Sequence, residues 1–183
     1  THCLHGGPKG WQNLPWDAKQ INEQTLKLTI VSPDGDSNFP GKVDASVTYT
    51  LTNDNAIKID YAATTDKKTV VNMTNHSYFN LNGNPAKEAM DHVLYIASDN
   101  ITPIDETFAT TGEYMAVAGT PFDFNTPKVL SKDINAENDQ IKYGIGFDHN
   151  WVLNTNGDIN KLAAKLTGPE TGITLEVYTD EPG

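Results

Sequence analysis

One histidine lies inside a run of amide, hydroxyl and aromatic side chains. The run spans residues 72–83 and reads Asn-Met-Thr-Asn-His-Ser-Tyr-Phe-Asn-Leu-Asn-Gly, with the histidine at position 76. If the run is extended, His76 and Tyr78 share one face while Asn75 and Ser77 share the other. An imidazole has an ordinary pKa of about 6.5, which suits proton transfer near neutral pH. The segment fits a catalytic histidine, and it fits equally a core histidine that is bonded to the backbone.

A second polar cluster reads Phe147-Asp148-His149-Asn150-Trp151. On an extended backbone Asp148 and His149 point to opposite faces, so only one of them is expected to meet a given ligand. A carboxylate beside an aromatic ring commonly holds a sugar, because the acid accepts hydroxyl hydrogens and the ring covers a C–H face. The alternative is a turn aspartate that bonds its own backbone.

A loop rich in glycine, proline and tryptophan occupies residues 5–16. Its composition forbids a regular helix or a central strand and allows the backbone to approach a ligand closely. It lacks the Gly-Lys-Ser/Thr ending of a phosphate-binding loop. His2, Cys3 and His5 could ligate a metal, but no second cluster accompanies them, so no metal site is predicted. His92, which follows Asp91, is expected to be structural or exposed.

Composition limits the possible partners and compartments. The chain has 183 residues, enough for one domain over residues 1–183, and a formal net charge of −11. Nucleic acid and anionic membranes need a basic patch, so both are excluded as partners, and a neutral or cationic small molecule fits. No apolar run approaches the roughly 20 residues of a membrane span. No signal peptide is visible, so a cytoplasmic location is favoured, with a periplasmic or secreted one left open.

Alternation of apolar and polar residues with period two predicts strands along most of the chain. It is clearest in residues 43–51 and 57–63, which the Asn-Asp-Asn turn at 53–55 joins into a hairpin. Further strands are predicted at residues 26–31, 93–97, 114–117, 151–153, 162–167 and 173–179. One short helix is predicted over residues 131–140, with Ser131 as its N-cap. The fold class is therefore all-β, with packed antiparallel sheets that have one polar face.

Several motifs in order resemble the aldose 1-epimerase (galactose mutarotase) family. The stretch around His76 is similar to the family's second histidine motif almost residue for residue. The other matching stretches are Leu4-His5-Gly6-Gly7-Pro8-Lys9-Gly10, Ile101-Thr102-Pro103-Ile104-Asp105, Pro121-Phe122-Asp123-Phe124, Phe147-Asp148-His149-Asn150 and Leu175-Glu176-Val177-Tyr178-Thr179. The resemblance covers essentially the whole chain.

The resemblance implies a large twisted antiparallel β-sandwich, called a supersandwich, with an open cleft for a free aldohexose such as galactose or glucose. It implies that His76 is the general acid, that His5 polarises the ring oxygen and that Asp148 holds sugar hydroxyls. Glu181 matches a sugar-contacting glutamine of the family, with an added charge. Neither a metal nor a cofactor is implied, because an imidazole and a carboxylate base can supply both proton transfers.

Two family residues are expected outside this sequence. The general base is a glutamate that would follow Gly183, and a sugar-binding arginine would precede Thr1. Apart from Glu181, which matches the sugar-contacting glutamine, the glutamates present do not occupy the position of the base: Glu23, Glu88, Glu106, Glu113, Glu137, Glu170 and Glu176. We therefore expect these residues to be the central part of a longer mutarotase. On their own we expect them to have little or no activity.

Two other functions fit the same residues. A non-catalytic sugar-binding or sensing module can use the same fold, since fold does not determine function. A mutarotase-like enzyme that acts on a modified sugar is the other alternative, and the sequence does not decide which hexose binds.

Overall fold

A computed structural model describes residues 3–183, which divide into two compact units. One unit runs to His76, and the other extends from Ser77 to Gly183. The single domain expected over residues 1–183 stays a prediction. No helix within residues 3–183 is both long enough and apolar enough to cross a membrane.

The first unit contains one antiparallel sheet of four strands in the order β1-β2-β3-β4. The strands are β1 (Asp17–Asn22), β2 (Thr25–Ser32), β3 (Val43–Leu51) and β4 (Ile57–Thr65). The predicted hairpin is confirmed, with Leu51 opposite Ile57 and the turn residue Asn55 at a positive φ of 62°. In the first half of β3 the apolar residues Val43, Ala45 and Val47 are buried and the polar residues between them are not, as the alternation predicts.

The core of this unit anchors both histidine-bearing segments. Its buried residues are Ile30, Val43 and Ala45, and Trp11, Trp16 and Met73 pack against them. The indole Nε1 of Trp16 donates to the carbonyl of Trp11 at 3.0 Å, and the two rings meet edge to face. Trp11 follows the His5 loop and Met73 precedes His76. The two segments are therefore fixed on the same sheet.

The second unit contains two antiparallel sheets, ordered β11-β10-β5-β8 and β7-β6-β9. Only Ala97 separates β5 from β6, so the chain changes sheets there. The strands are β5 (Val93–Ile96), β6 (Ser98–Thr102), β7 (Met115–Ala116), β8 (Lys128–Val129), β9 (Asn150–Leu153), β10 (Ala164–Thr167) and β11 (Thr174–Val177). The predictions at residues 93–97, 114–117, 151–153, 162–167 and 173–179 are confirmed within a few residues at each end. Strands β1, β6 and β8 were not predicted.

Phe122 lies at the centre of the core of this unit. Its side chain is fully buried and packs in one cluster with the buried residues Ile101, Val117 and Ile141. The indole of Trp151 donates to the Phe122 carbonyl at 3.1 Å. This core lies directly under the Phe147–Trp151 cluster that the sequence marks as functional.

The helix predicted over residues 131–140 is wrong in its position. A 3-10 turn occupies Leu130–Lys132, and the α-helix α1 spans Asp139–Gly144. The Ser131 amide donates to the Met90 carbonyl at 2.8 Å, so it is held by another segment and does not begin a helix. Asn138 is the N-cap instead, because its side chain accepts from the Gln140 amide.

Candidate functional site

His5 lies in a tight loop with an unusual backbone. The loop forms a 3-10 turn over Leu4–Lys9, in which His5 has φ 52° and ψ 37°. Gly6 and Gly7 also have positive φ, which glycine adopts without penalty and histidine does not. A left-handed non-glycine residue persists only where its surroundings hold it, and such residues concentrate at functional sites. The Ser37 hydroxyl helps to hold the loop by donating to the Gly6 carbonyl at 3.0 Å.

Gly10 closes this loop and leaves no room for a side chain. Its amide donates to the Gly7 carbonyl at 2.9 Å, and the residue is buried. A Cβ at this position would collide with the backbone oxygen of His5 and the side chain of Gln12. The absence of a side chain at Gly10 is therefore what allows the loop to present His5.

His76 lies in a segment without regular secondary structure, residues 68–80, and its side chain is exposed. The alternative of a core histidine is therefore wrong. The side-chain Nδ2 of Asn75 donates to the Tyr49 hydroxyl at 3.3 Å, which ties the segment to β3. Tyr78, two residues further on, is 89% exposed. The segment presents polar and aromatic groups to solvent while Met73 holds it against the sheet.

The first unit brings His5 and His76 together. Their ring centroids are 5.2 Å apart and their planes meet at 86°, an edge-to-face arrangement. Both side chains are exposed. Two imidazoles this close can donate, accept or transfer protons at neighbouring atoms of one small ligand.

Asp148 and Glu181 belong to the second unit, and both are exposed. Asp148 stands between two half-buried aromatic residues, Phe147 and His149. Glu181 follows β11, and its amide donates to the Thr179 hydroxyl at 3.0 Å. The next residue, Pro182, accepts from the Leu153 amide at 2.9 Å, which ties the segment to β9.

His149 points into the protein, as the alternation with Asp148 predicted. Its ring lies 4.6 Å from that of Phe122, and its Nε2 is 3.1 Å from the side-chain oxygen of Gln140. Its Nδ1 is buried without a hydrogen-bond partner. Burial lowers the pKa of His149, and the neighbouring Asp148 carboxylate offsets part of that effect. The sequence did not identify Gln140 as a partner of His149, because nothing in the local pattern around Gln140 connects it to position 149.

The half-buried His149 should make the free energy of unfolding depend on pH. Above about pH 6.5 the ring is neutral in both states and its burial costs nothing electrostatically. As the pH falls through that value, unfolded His149 takes up a proton while the folded ring, with its lowered pKa, stays neutral. The free energy of unfolding should therefore fall below about pH 6.5. Urea unfolding measured at several pH values below 6.5 tests this: the free energy of unfolding should fall less steeply with decreasing pH in His149→Gln than in the unsubstituted protein. The same pH dependence in both proteins would contradict the lowered pKa of His149.

His92 has a structural role. Its side chain is fully buried, its Nε2 accepts from the Leu81 amide at 2.9 Å, and its Nδ1 faces the Asp91 carboxylate at 2.9 Å. The same carboxylate accepts from the Asn82 amide group through both oxygens. The exposed alternative for His92 is therefore wrong and the structural one is confirmed.

Within residues 3–183, no group of three histidine, cysteine or acidic side chains is arranged to hold a metal. Of the three residues weighed as ligands, His2 lies outside the described residues, and Cys3 and His5 are exposed.

The comparisons with known proteins agree with the motifs. The model of the aldose 1-epimerase family matches residues 1–183. The chain belongs to the aldose 1-epimerase family. Among its relatives, the aldose 1-epimerase of Escherichia coli (strain K12) is 41% identical over 179 residues, which are 98% of this chain and 51% of that protein. The galactose mutarotase of Rattus norvegicus is 38% identical over 183 residues, 100% of this chain and 51% of that protein.

The same family is found among solved structures. The crystal structure of galactose 1-epimerase from Lactobacillus acidophilus NCFM matches with a TM-score of 0.79 and 34% identity, over 90% of this chain and 48% of that one. The mostly β, antiparallel fold expected from the resemblance is thereby confirmed as the fold of this family. The chain spans about half the length of the curated relatives that it matches.

Proposed function

We propose that this aldose 1-epimerase family member takes part in interconverting the α and β anomers of a free aldohexose, galactose or glucose. The observation that carries the proposal is the exposed edge-to-face pair of His5 and His76. The pair supports acid–base chemistry because two imidazoles can serve adjacent oxygens of one sugar near neutral pH. Both residues lie in the stretches that resemble the family's two histidine motifs.

The proposed reaction opens and recloses a hemiacetal. His76 gives a proton to the ring oxygen while a base removes the proton of the C1 hydroxyl, and the bond between C1 and the ring oxygen breaks. His5 donates a hydrogen bond near the same ring oxygen and favours its departure. The C1 aldehyde rotates, and the ring closes on its other face with the proton transfers reversed. No electron is gained or lost in the cycle.

In this proposal the base is a glutamate beyond Gly183, as the resemblance to the family implies. Asp148 accepts hydrogen bonds from sugar hydroxyls, a role that suits an exposed carboxylate beside aromatic rings. Glu181 contacts the sugar where the family has a glutamine, and its charge makes it an acceptor only. These roles rest on the resemblance and on the exposure of the side chains.

Polarimetry of freshly dissolved α-galactose and α-glucose tests the proposal. The protein to use is the whole gene product that contains these 183 residues. We expect it to accelerate the change in optical rotation in proportion to its concentration, with the equilibrium rotation unchanged. A protein that binds the sugar, as shown by NMR titration, but leaves the rate at its value in buffer would be a non-catalytic sugar-binding module. That result would overturn the proposal.

A further inference from the structure

The residues on both sides of Asp148 are anchored in the core of the second unit. The ring of Phe147 lies 5.6 Å from that of Phe122 and 5.2 Å from that of Phe124. The ring of His149 also packs on Phe122, at 4.6 Å. Asp148 alone of these three consecutive residues is exposed. The direction of the Asp148 side chain therefore depends on the positions of its two neighbours, which the core holds.

The side chain of Gln140 holds one of those neighbours from the first turn of α1. Its Nε2 donates to the Ile104 carbonyl at 2.9 Å, and its Oε1 accepts from the Ile104 amide at 2.8 Å. Ile104 is buried, so both of its backbone groups need these partners. The pairing also determines which end of the Gln140 amide is oxygen, because a flipped amide would face donor with donor and acceptor with acceptor.

The orientation of the Gln140 amide determines which tautomer the His149 ring adopts. The same Oε1 lies 3.1 Å from His149 Nε2 and can only accept, so the hydrogen must be on Nε2. A Cβ added to Gly144 would lie 2.8 Å from His149 Cε1, so the ring lies close against the end of α1. The imidazole is thus held between α1 and Phe122 with one defined tautomer.

We propose that Gln140 and His149 are positioning residues that hold the Asp148 carboxylate in the direction in which it receives sugar hydroxyls. The inference rests on the sugar-binding role of Asp148 in the proposed function. Neither Gln140 nor His149 touches the sugar: Gln140 acts on the His149 ring, and the ring acts on Asp148 through the backbone. Both residues should influence sugar affinity more than they influence the proton transfers.

A double-mutant cycle on galactose binding tests this inference in the whole gene product. Asp148→Asn should raise the Kd about 10- to 100-fold, the effect of weakening a hydrogen bond to a charged group. His149→Phe keeps the packing on Phe122 but removes the Nε2 donor, and it should raise the Kd about fivefold. In the double variant, His149→Phe should not raise the Kd beyond its value in Asp148→Asn alone. In turnover the His149→Phe variant should show a raised KM with a smaller change in kcat.

Two matched variants serve as controls. His149→Gln supplies an amide donor in place of Nε2 and should restore much of the affinity. Asp139→Asn is the same aspartate-to-asparagine substitution at another exposed carboxylate, in α1, and it should leave the Kd unchanged. If His149→Phe does not fold, Gln140→Met, which removes the amide but keeps the volume, should give the same loss and the same coupling.

The outcomes separate this inference from the proposed function. If Asp148→Asn leaves the Kd unchanged, the sugar-binding role of Asp148 is wrong, and the positioning role fails with it. If Asp148→Asn weakens binding but His149→Phe does not, only the positioning role fails. Additive effects in the double variant would likewise overturn it, because a merely structural loss at His149 would not depend on Asp148.

Discussion

Replacing His76 with glutamine in the whole gene product is expected to lower kcat for mutarotation about 10²–10⁴-fold, the usual contribution of one general acid or base. Glutamine can still donate a hydrogen bond to the sugar, but it cannot deliver a proton to the ring oxygen. Because His76 is exposed and lies in an irregular segment, the change should not disturb the core of its unit. The initial rate of change in optical rotation of α-galactose measures the effect.

Two controls make the loss attributable to chemistry. The His76→Gln variant should unfold at the same urea concentration as the unsubstituted protein, and the Kd for galactose should change far less than kcat. Lys58→Gln exchanges another exposed side chain of the same unit for glutamine and should retain full activity, since its ion pair with Asp60 lies on the surface. Equal rates for His76→Gln and the unsubstituted protein would contradict the role of general acid.

Replacing Phe122 with alanine is expected to reduce the free energy of unfolding by about 3–5 kcal/mol, the typical cost of emptying a buried aromatic site. Phe122 is fully buried, and its ring contacts Phe147, His149 and Trp151. The cavity would therefore lie under the whole cluster that carries Asp148, and sugar affinity should fall together with stability. Urea unfolding followed by circular dichroism measures the first effect.

The matched control for Phe122 is Phe108, which is 51% exposed in the same unit. Phe108→Ala should change the free energy of unfolding by no more than about 0.5 kcal/mol, as surface substitutions usually do. If the two alanine variants unfolded at the same urea concentration, Phe122 would not be the packing centre that its burial indicates.

The β3–β4 hairpin shows how far the sequence predicts this fold. Strand β3 alternates apolar residues with mostly hydroxyl residues over nine positions, β4 alternates apolar and charged residues from Ile57 to Tyr61, and an Asn-Asp-Asn turn joins the two strands. Strand periodicity and turn chemistry are local properties, so their agreement predicted the strand starts at Val43 and Ile57. The all-β class followed from the same signal repeated along the chain.

Elements that depend on distant partners were not predictable in this way. Strand β6 contains Asn100 and ends at Thr102 before a proline, a composition that resembles a turn, yet it pairs with both β7 and β9. The helix was displaced because the Ser131 amide is bonded to Met90, a contact between segments that no local pattern reveals. Tertiary contacts here override local preference.

The sequence likewise predicted the local features of the candidate site but not the contacts between distant residues. The motifs marked His5 and His76 separately, but no spacing rule predicts that rings 71 positions apart in the sequence come to 5.2 Å. Asp148 and His149 were expected to point to opposite faces, and the exposure of one and partial burial of the other agree. The Gln140 amide that orients His149 was not predictable, since it also needs the Ile104 backbone from 36 positions away.

The most direct test of the acid–base role of His76 is magnetisation transfer between the α and β anomeric protons of equilibrated galactose. At equilibrium there is no net reaction, so any transfer above the rate in buffer reports ring opening and closure on the protein alone. We predict transfer that rises in proportion to the concentration of the whole gene product. We also predict that it falls about 10²–10⁴-fold in His76→Gln at matched sugar saturation. Transfer at the unsubstituted rate in His76→Gln, or none above buffer in either protein, would contradict the account.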